Sequence, residues 1–412
     1  MGSTWLEHGL SDPVEAFRES FEGSVPTHFS RAPGRVNLIG EHTDYNGLPV
    51  MPMAIRQEVR ILFRARDHGT VRIANRNPEF PPRSFSLSHE IPPYPAGDWG
   101  NYLKAPAQAL NRLLGPLRGL DGFVTSTLPV ASGLSSSSAL VIALARALLH
   151  ANGEELSTLE LAEEMARAER YTGTEGGGMD QAISLGARAG YASRVEFNPL
   201  RLYESPIPPD WRFVVAHTLV RAEKSGQARE AYNRRTQECR EALRTIRLAL
   251  SKGGVGGVDT LTYPELVARF SLKDILEMGR VNLAGPLSGR FRHVVTETLR
   301  VYRCEEAMRE EDLLAFGILM DASHESLRTD YEVSSPELDR LVALAREGGA
   351  AGARLTGAGF GGCVVALTDP HRLDRLLGTL EQDYFRSMSL SRPLRDVLFV
   401  ARPSGGASVE EV

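Results

Sequence analysis

The run Pro129-Val130-Ala131-Ser132-Gly133-Leu134-Ser135-Ser136-Ser137-Ser138-Ala139 constrains the fold of this 412-residue chain more than any other feature. Before it, residues 122–128 set Phe123, Thr125 and Thr127 against Val124, Ser126 and Leu128, the alternation of a strand. After it, residues 139–150 are apolar, Ala/Leu-rich and free of Gly and Pro, as a buried helix requires. A strand must therefore turn through Gly133 into a helix whose positive end faces four consecutive serines. Glycine permits the tight turn, the serines supply hydroxyl and amide donors, and the helix favours negative charge, which together make an anion site suited to phosphate. The alternative, a serine cap on a core helix, needs only one of the four. No GxxxxGK[ST] sequence is present, nor the HRD and DFG pair, which excludes a Walker loop and a protein-kinase fold.

Around this unit the chain mixes strands and helices. Residues 34–39 leave a Pro-Gly turn as a strand, and residues 59–64 and 71–74 flank the turn Arg66-Asp67-His68-Gly69 as an expected hairpin. Residues 159–171 read as a helix opened by a Ser157/Glu160 capping box. Prolines 199, 206, 208 and 209 mark a boundary within 199–210, and a strand at 211–218 follows. Helices are expected at 227–250, 313–329 and 336–347, with strand-like segments at 354–367 and 396–400. The Gly-rich stretch 253–257 follows a helix, so it is a linker and not a dinucleotide loop. The tail 403–412, small and acidic, is expected to fray. The fold class is α+β, with two domains, 1–205 and 206–412, and a cleft between them.

With 47 Lys+Arg against 52 Asp+Glu, the formal charge of -5 gives no electrostatic reason for a nucleic-acid partner, yet leaves room for an anionic substrate held by local donors. The three cysteines, Cys239, Cys304 and Cys363, are odd in number and far apart, against a disulfide scaffold or zinc ribbon. No apolar run approaches the ~18 residues that span a bilayer. Residues 1–20 show no secretory pattern, and Leu6 stands where a myristoyl signal has Ser or Thr. The expectation is a soluble cytoplasmic protein without a membrane partner.

Three further clusters carry polar chemistry. Gly34-Arg35-Val36-Asn37-Leu38-Ile39-Gly40-Glu41-His42-Thr43-Asp44-Tyr45 crowds donors and acceptors onto one strand and its exit, fit for a sugar pocket or simply a solvated turn. A metal site there lacks a second His at matching spacing. Thr174-Glu175-Gly176-Gly177-Gly178-Met179-Asp180-Gln181 lets backbone approach a ligand and sets Asp180 near a helix start, where it is either a base or charge partner, or a cap. Arg354-Leu355-Thr356-Gly357-Ala358-Gly359-Phe360-Gly361-Gly362-Cys363 makes a tight loop between apolar runs; alone, it is a turn.

Taken together, in this order, the four clusters resemble the GHMP small-molecule kinases, and within them the galactokinase branch. Trp99-Gly100-Asn101-Tyr102, Arg292-His293-Val294-Val295-Thr296-Glu297 and the stretch 323–333 are similar as well, so the resemblance runs from about Arg31 to the last strand. It implies a two-domain kinase in which Mg2+, ATP and a sugar meet in the interdomain cleft, and a product of α-D-galactose 1-phosphate. By resemblance, Asp180 takes or assists loss of the anomeric hydroxyl proton, and Arg35 stabilises that carboxylate and the developing charge. Glu41, His42, Asp44, Gly178 and Tyr232 match sugar-contacting positions. Gly133, Leu134, Ser135, Ser136, Ser137 and Ser138 match the phosphate loop, Ser137 (or a neighbouring serine) with Glu169 would hold Mg2+, and Trp99 and Tyr102 match a region near adenine. Leu48 stands where many galactokinases have glycine, which brings the wording closer to the eukaryotic galactokinase and N-acetylgalactosamine kinase branch. Other readings are an N-acetylgalactosamine or other aldose 1-kinase and, against the intact Asp180 and serine run, a silent sugar-and-ATP sensor.

Overall fold

The computed structural model describes residues 12–129, 132–173, 176–220, 227–390 and 392–412. Its strands are β1 (His28–Ile39), β2 (Met51–Ala65), β3 (Thr70–Asn75), β4 (Arg83–Ser86), β5 (Leu120–Ser126), β6 (Tyr191–Glu196), β7 (Arg201–Pro206), β8 (Arg212–His217), β9 (Gly352–Thr356), β10 (Cys363–Thr368), β11 (Leu398–Ala401) and β12 (Ser408–Glu411). They form a six-stranded sheet ordered β12-β1-β2-β5-β3-β4, a four-stranded sheet ordered β11-β8-β10-β9, and a β6-β7 ribbon. Pairing is antiparallel except between β3 and β5, which the helix Asn101–Leu114 links as a crossover. This mixed architecture is the expected α+β class.

The helix Ser136–Asn152 packs on β1 and β2, and its Val141, Ile142, Leu144 and Leu148 are wholly buried. Each such side chain contributes roughly 1.5–3 kcal/mol by leaving water, which anchors the serine-rich loop at the helix head. The four-stranded sheet faces two cores. Along β8, Phe213 and Val215 join the first core while Val214 and Ala216 join the second; along β10, Val365 and Leu367 oppose Val364 and Ala366. That is the two-residue period of a strand buried on both faces. The second core is completed by the helices Gln227–Lys252, Pro286–Arg309 and Pro336–Glu347.

Capping signals located several helices well. Leu313–Thr329 and Pro336–Glu347 begin at Asp312 and Ser335 caps, and the Ser157/Glu160 box opens Thr158–Ala168. That helix then tightens into the 3-10 turn Glu169–Thr172 instead of continuing to Tyr171. Two local expectations fail. The turn 66–69 does not close a hairpin, because β5 lies between β2 and β3. The chain entering β5 threads the turn: Arg66 N–H donates to the Gly119 carbonyl and Gly119 N–H to that of His68, both at 2.9 Å. Arg66 and Arg72 then grip Asp121 of β5 from either side, at 2.6 and 2.7 Å. A turn signal reports a reversal, not which strand fills the space beside it.

The tail does not fray either. β12 pairs with β1 from His28↔Glu411 to Arg31↔Ser408, and the Ser404 and Ala407 amides donate to the Ala54 and Ser184 carbonyls at 3.0 and 2.8 Å. Edge pairing draws on backbone groups, which small and acidic side chains leave available.

Candidate active site

β1 delivers the first cluster. It ends at Ile39, and Gly40 turns the chain with φ 89° where a Cβ would stand 2.8 Å from Val50 Cα. Thr43 Oγ1 lies within hydrogen-bonding reach of the carbonyls of Gly40 (2.9 Å) and Pro49 (2.8 Å), which fixes the exit loop. Glu41, His42 and Asp44 are thereby presented to one cleft, shared with Arg35, Glu169, Gly178, Asp180 and Tyr232. Gly357 and Ala358 of the fourth cluster close its other side.

Asp180 sits in the first turn of the helix Met179–Gly186, after Gly178 in a left-handed conformation. Arg35 Nε donates to its Oδ1 at 2.7 Å, and Ser138 Oγ approaches its Oδ2 at 3.4 Å. Arg35 Nη1 also donates to the Gly133 carbonyl at 2.5 Å, so one guanidinium ties the carboxylate to the serine-rich loop. The first helical bond there runs from Ala139 N–H to the Ser135 carbonyl, which leaves the amides of Ser136, Ser137 and Ser138 at the helix end without helical acceptors. Ser135 is left-handed (φ 63°), and its buried hydroxyl has no partner among the described residues. Gly177 N–H donates to Asp44 Oδ2 at 3.2 Å, a contact only glycine allows, since a Cβ there would lie 2.3 Å from Tyr45 N.

The cleft is rich in charge. Burial opposes the Arg35 cation, but Asp180, Glu41 and Asp44 outweigh it and hold the guanidinium above its ordinary range. Burial pushes the Asp44 carboxyl up, and the charge of Asp180 adds to this. Glu41 is likewise raised by burial, with Arg354 and Arg35 pulling the other way. Burial, then the carboxylates of Asp44, Asp180 and Glu41, push the Tyr232 phenol well above its usual value. Burial drives His42 well below its usual value, so the ring is neutral.

Behind the cleft lies a layer of buried charge to which the sequence gives no role, although Arg354, Glu297 and His293 fall in stretches named above. Arg354, wholly buried, donates to Glu41 Oε2 at 2.9 Å. Glu297 accepts from the Gly40 amide at 2.9 Å, from Ser323 Oγ at 2.6 Å and from Arg300 at 2.6 Å. His293 Nε2 lies 3.0 Å from the Glu41 carbonyl. Two helices and β9 thus pin the exit loop from beneath.

Other expected positions are less central. Trp99 belongs to the first core, with its indole N–H donated to the Pro81 carbonyl at 3.0 Å, and lies outside the cleft wall. Tyr102 packs against that core; burial, then the charge of Glu169, pushes its phenol up to about 12. Leu48 is buried in the second core, so its bulk fills that core and does not face the cleft. Thr174 and Glu175 lie outside the described residues. Among the described residues, no group of three His, Cys, Asp or Glu side chains is arranged for a metal.

Three family models match the chain: the galactokinase galactose-binding signature over residues 15–65, the GHMP kinases N terminal domain over 101–187, and the GHMP kinases C terminal over 304–386. A galactokinase from Dictyostelium discoideum is 31% identical over 469 residues, covering 96% of this chain and 92% of that protein. The chain belongs to the galactokinase family. A galactokinase from Chloroflexus aggregans is 36% identical over 384 residues, covering 91% and 92% of the two chains. The crystal structure of Lactococcus lactis galactokinase complexed with galactose superposes with a TM-score of 0.83 at 30% identity, covering 96% of this chain and 98% of that one. A mevalonate kinase, at 21% identity and a TM-score of 0.60, shares the fold. Within this galactokinase-family chain, Arg35, Glu41, His42 and Asp44 fall inside the galactose-binding signature, and Asp180 inside the N-terminal match. Tyr232 and Glu297 fall between the matched segments.

Proposed function

We infer that this chain transfers the γ-phosphoryl group of ATP to the anomeric hydroxyl of galactose, giving α-D-galactose 1-phosphate. The observation that carries the residue roles is the Gly133–Arg35–Asp180 link, which joins a serine-rich helix head to a polar cleft. Phosphoryl transfer asks a protein mainly to align donor and acceptor and to spread charge. Glu41, His42, Asp44 and Tyr232 hold the sugar, with Gly178 giving the backbone close approach. Asp180 takes or assists loss of the anomeric proton, and Arg35 offsets the charge that develops. Gly133, Leu134 and Ser135 to Ser138 cradle the phosphates, and the free amides with the partnerless Ser135 hydroxyl support that role. Trp99 and Tyr102 are assigned to the region near adenine by resemblance alone.

Mg2+ keeps several waters and takes one or two protein oxygens beside phosphate oxygens. A hydroxyl at a helix head and a buried carboxylate, Ser137 and Glu169, fit that donor set; the ion would neutralise phosphate charge. The cytoplasm is the compartment proposed, in keeping with three buried free cysteines. Among the described residues, no helix is long and apolar enough to cross a membrane. The division after residue 205 is proposed with one amendment: the last strand returns to the sheet of the first half.

The test is kcat/KM for galactose, glucose and N-acetylgalactosamine on one preparation, read by ADP release. Galactose should lead, and glucose, which differs at the 4-hydroxyl, should be poor. Asp44→Ala should weaken galactose sharply, because the family resemblance assigns Asp44 to the 3- and 4-hydroxyls. Glucose equal to galactose would overturn the pocket assignment, and N-acetylgalactosamine ahead of galactose would overturn the substrate alone.

A further inference from the structure

Tyr45 ends the first cluster and Tyr331 belongs to the stretch 323–333, yet neither has a part in the reaction as described. Both stand in a row behind His42. His42 Nδ1 lies 2.9 Å from the Tyr45 hydroxyl, that hydroxyl 2.6 Å from the Tyr331 hydroxyl, and that one 3.1 Å from Cys239 Sγ. The other ring nitrogen, Nε2, is buried in the residue lining the cleft and has no hydrogen-bond partner among the described residues. Tyr331 and Cys239 are wholly buried.

Each hydroxyl and the thiol carries one proton, so the row runs in one of two directions, and the direction sets the tautomer of the imidazole. The histidine end decides. A neutral imidazole nitrogen is the best acceptor in the row and a phenol its best donor, whereas a phenol oxygen, its lone pair drawn into the ring, accepts poorly. Tyr45 therefore donates to Nδ1, Tyr331 to Tyr45, and the Cys239 thiol to Tyr331. Burial pushes the thiol up to about 11, which keeps its proton in place. A neutral ring that accepts at Nδ1 holds its own proton at Nε2.

We propose that Tyr45, Tyr331 and Cys239 form a one-way hydrogen-bond row that fixes His42 as the Nε2–H tautomer, so that the cleft offers the sugar a histidine donor. Only the final clause rests on the sugar-site reading above. Tyr45 is a positioning residue that acts through His42. The sugar oxygen opposite is read as an acceptor, so a deoxyfluoro analogue at that carbon, which accepts but does not donate, is used better than the deoxy analogue.

The test begins with 15N NMR of the sugar-free wild-type protein labelled at histidine, with the His42→Gln spectrum assigning the signal among ten histidines. Protonated Nε2 and bare Nδ1 are expected; a proton on Nδ1 overturns the proposal. Tyr45→Phe keeps the ring and removes the hydroxyl. It should mix the tautomers and raise KM for galactose about tenfold with kcat within about twofold, the scale of one hydrogen bond. Cys239→Ser, a stronger donor in the same place, should keep the wild-type spectrum and KM. A single Nε2–H tautomer surviving in Tyr45→Phe overturns the row as its cause. If the spectra follow the row while KM for galactose stays fixed, the row stands and the placement of sugar against His42 falls.

Discussion

Gly357→Ala offers the sharpest test of how the serine-rich loop is held. Gly357 has φ +88°, and a Cβ there would stand 2.6 Å from the Gly133 carbonyl oxygen and 2.9 Å from Gly133 Cα. Ordinary contact begins near 3.4 Å, so the two loops must part by roughly 0.8 Å. Left-handed strain in alanine adds about 1–2 kcal/mol. The displaced group is the carbonyl that accepts from Arg35 Nη1, and Arg35 holds Asp180 at 2.7 Å. Alignment errors near 1 Å cost on the order of 10²-fold in rate.

The variant should therefore remain folded, lose about 1–2 kcal/mol of stability, and lose about 10²-fold in kcat/KM. Most of the loss should fall on kcat. Gly153→Ala is the control, because Gly153 is also left-handed (φ +67°) but has nothing within 4 Å of an added Cβ. It should show the strain alone, with full activity. Coupled ADP release and thermal melts on both variants give the comparison. Gly357→Ala with wild-type kcat/KM, or Gly153→Ala equally impaired, would refute the reasoning that the glycine crossing positions Arg35.

Asp180→Asn should lower single-turnover phosphorylation by about 10²-fold or more while sugar and ATP affinity change little; near-normal turnover would falsify the role given to that carboxylate. Ser135→Ala removes a buried hydroxyl without a partner among the described residues and should weaken ATP about tenfold, leaving galactose untouched. Unchanged nucleotide affinity by calorimetry would remove Ser135 from the cradle. Burial holds His217, His293 and His324 down to about 4, whereas unfolded histidine titrates near 6.5. Between those values the unfolded chain binds more protons, so this stability is complete above about 6.5 and lost as pH falls toward 4. Urea melts across that window should show a shallower pH slope in His293→Gln, by up to about 1.4 kcal/mol per pH unit; an unchanged slope would mean His293 is not held neutral by the fold.

What could be read from the sequence depended on whether a residue's role was local. Gly133, Gly177 and Gly178 stand out because backbone that turns or approaches so closely excludes other side chains, and Asp312 and Ser335 because a cap acts within three residues. The turn 66–69 misled because the strand that fills the space beside β2 arrives some fifty residues later, drawn in by Asp121 between two arginines. Arg354 and Glu297 lie inside stretches that resemble the family, yet nothing local to them reveals a task. A charge on a half-apolar helix or strand looks the same in sequence whether it faces water or a buried partner.

Those two residues are where the fold and the site are most tightly joined. Glu41, Asp44, Asp180 and Glu169 line one cleft, and such a concentration of carboxylates is tolerable only with positive charge beside it. Arg35 supplies it at the wall and Arg354 behind it, the latter with no exposure at all. A buried pair such as Arg354–Glu41 adds little net stability, because desolvation consumes most of the attraction, yet removing one partner leaves a bare buried charge worth about 3–5 kcal/mol. The Glu41 carboxylate is consequently held in one orientation by the threat of that penalty, not by a surplus of binding. Glu297 does the same for the backbone, since its Oε1 receives the Gly40 amide and the Ser323 hydroxyl at once. The exit of β1 can therefore reach into the cleft without becoming a loose loop, and the carboxylates proposed to meet the sugar are aimed before it arrives.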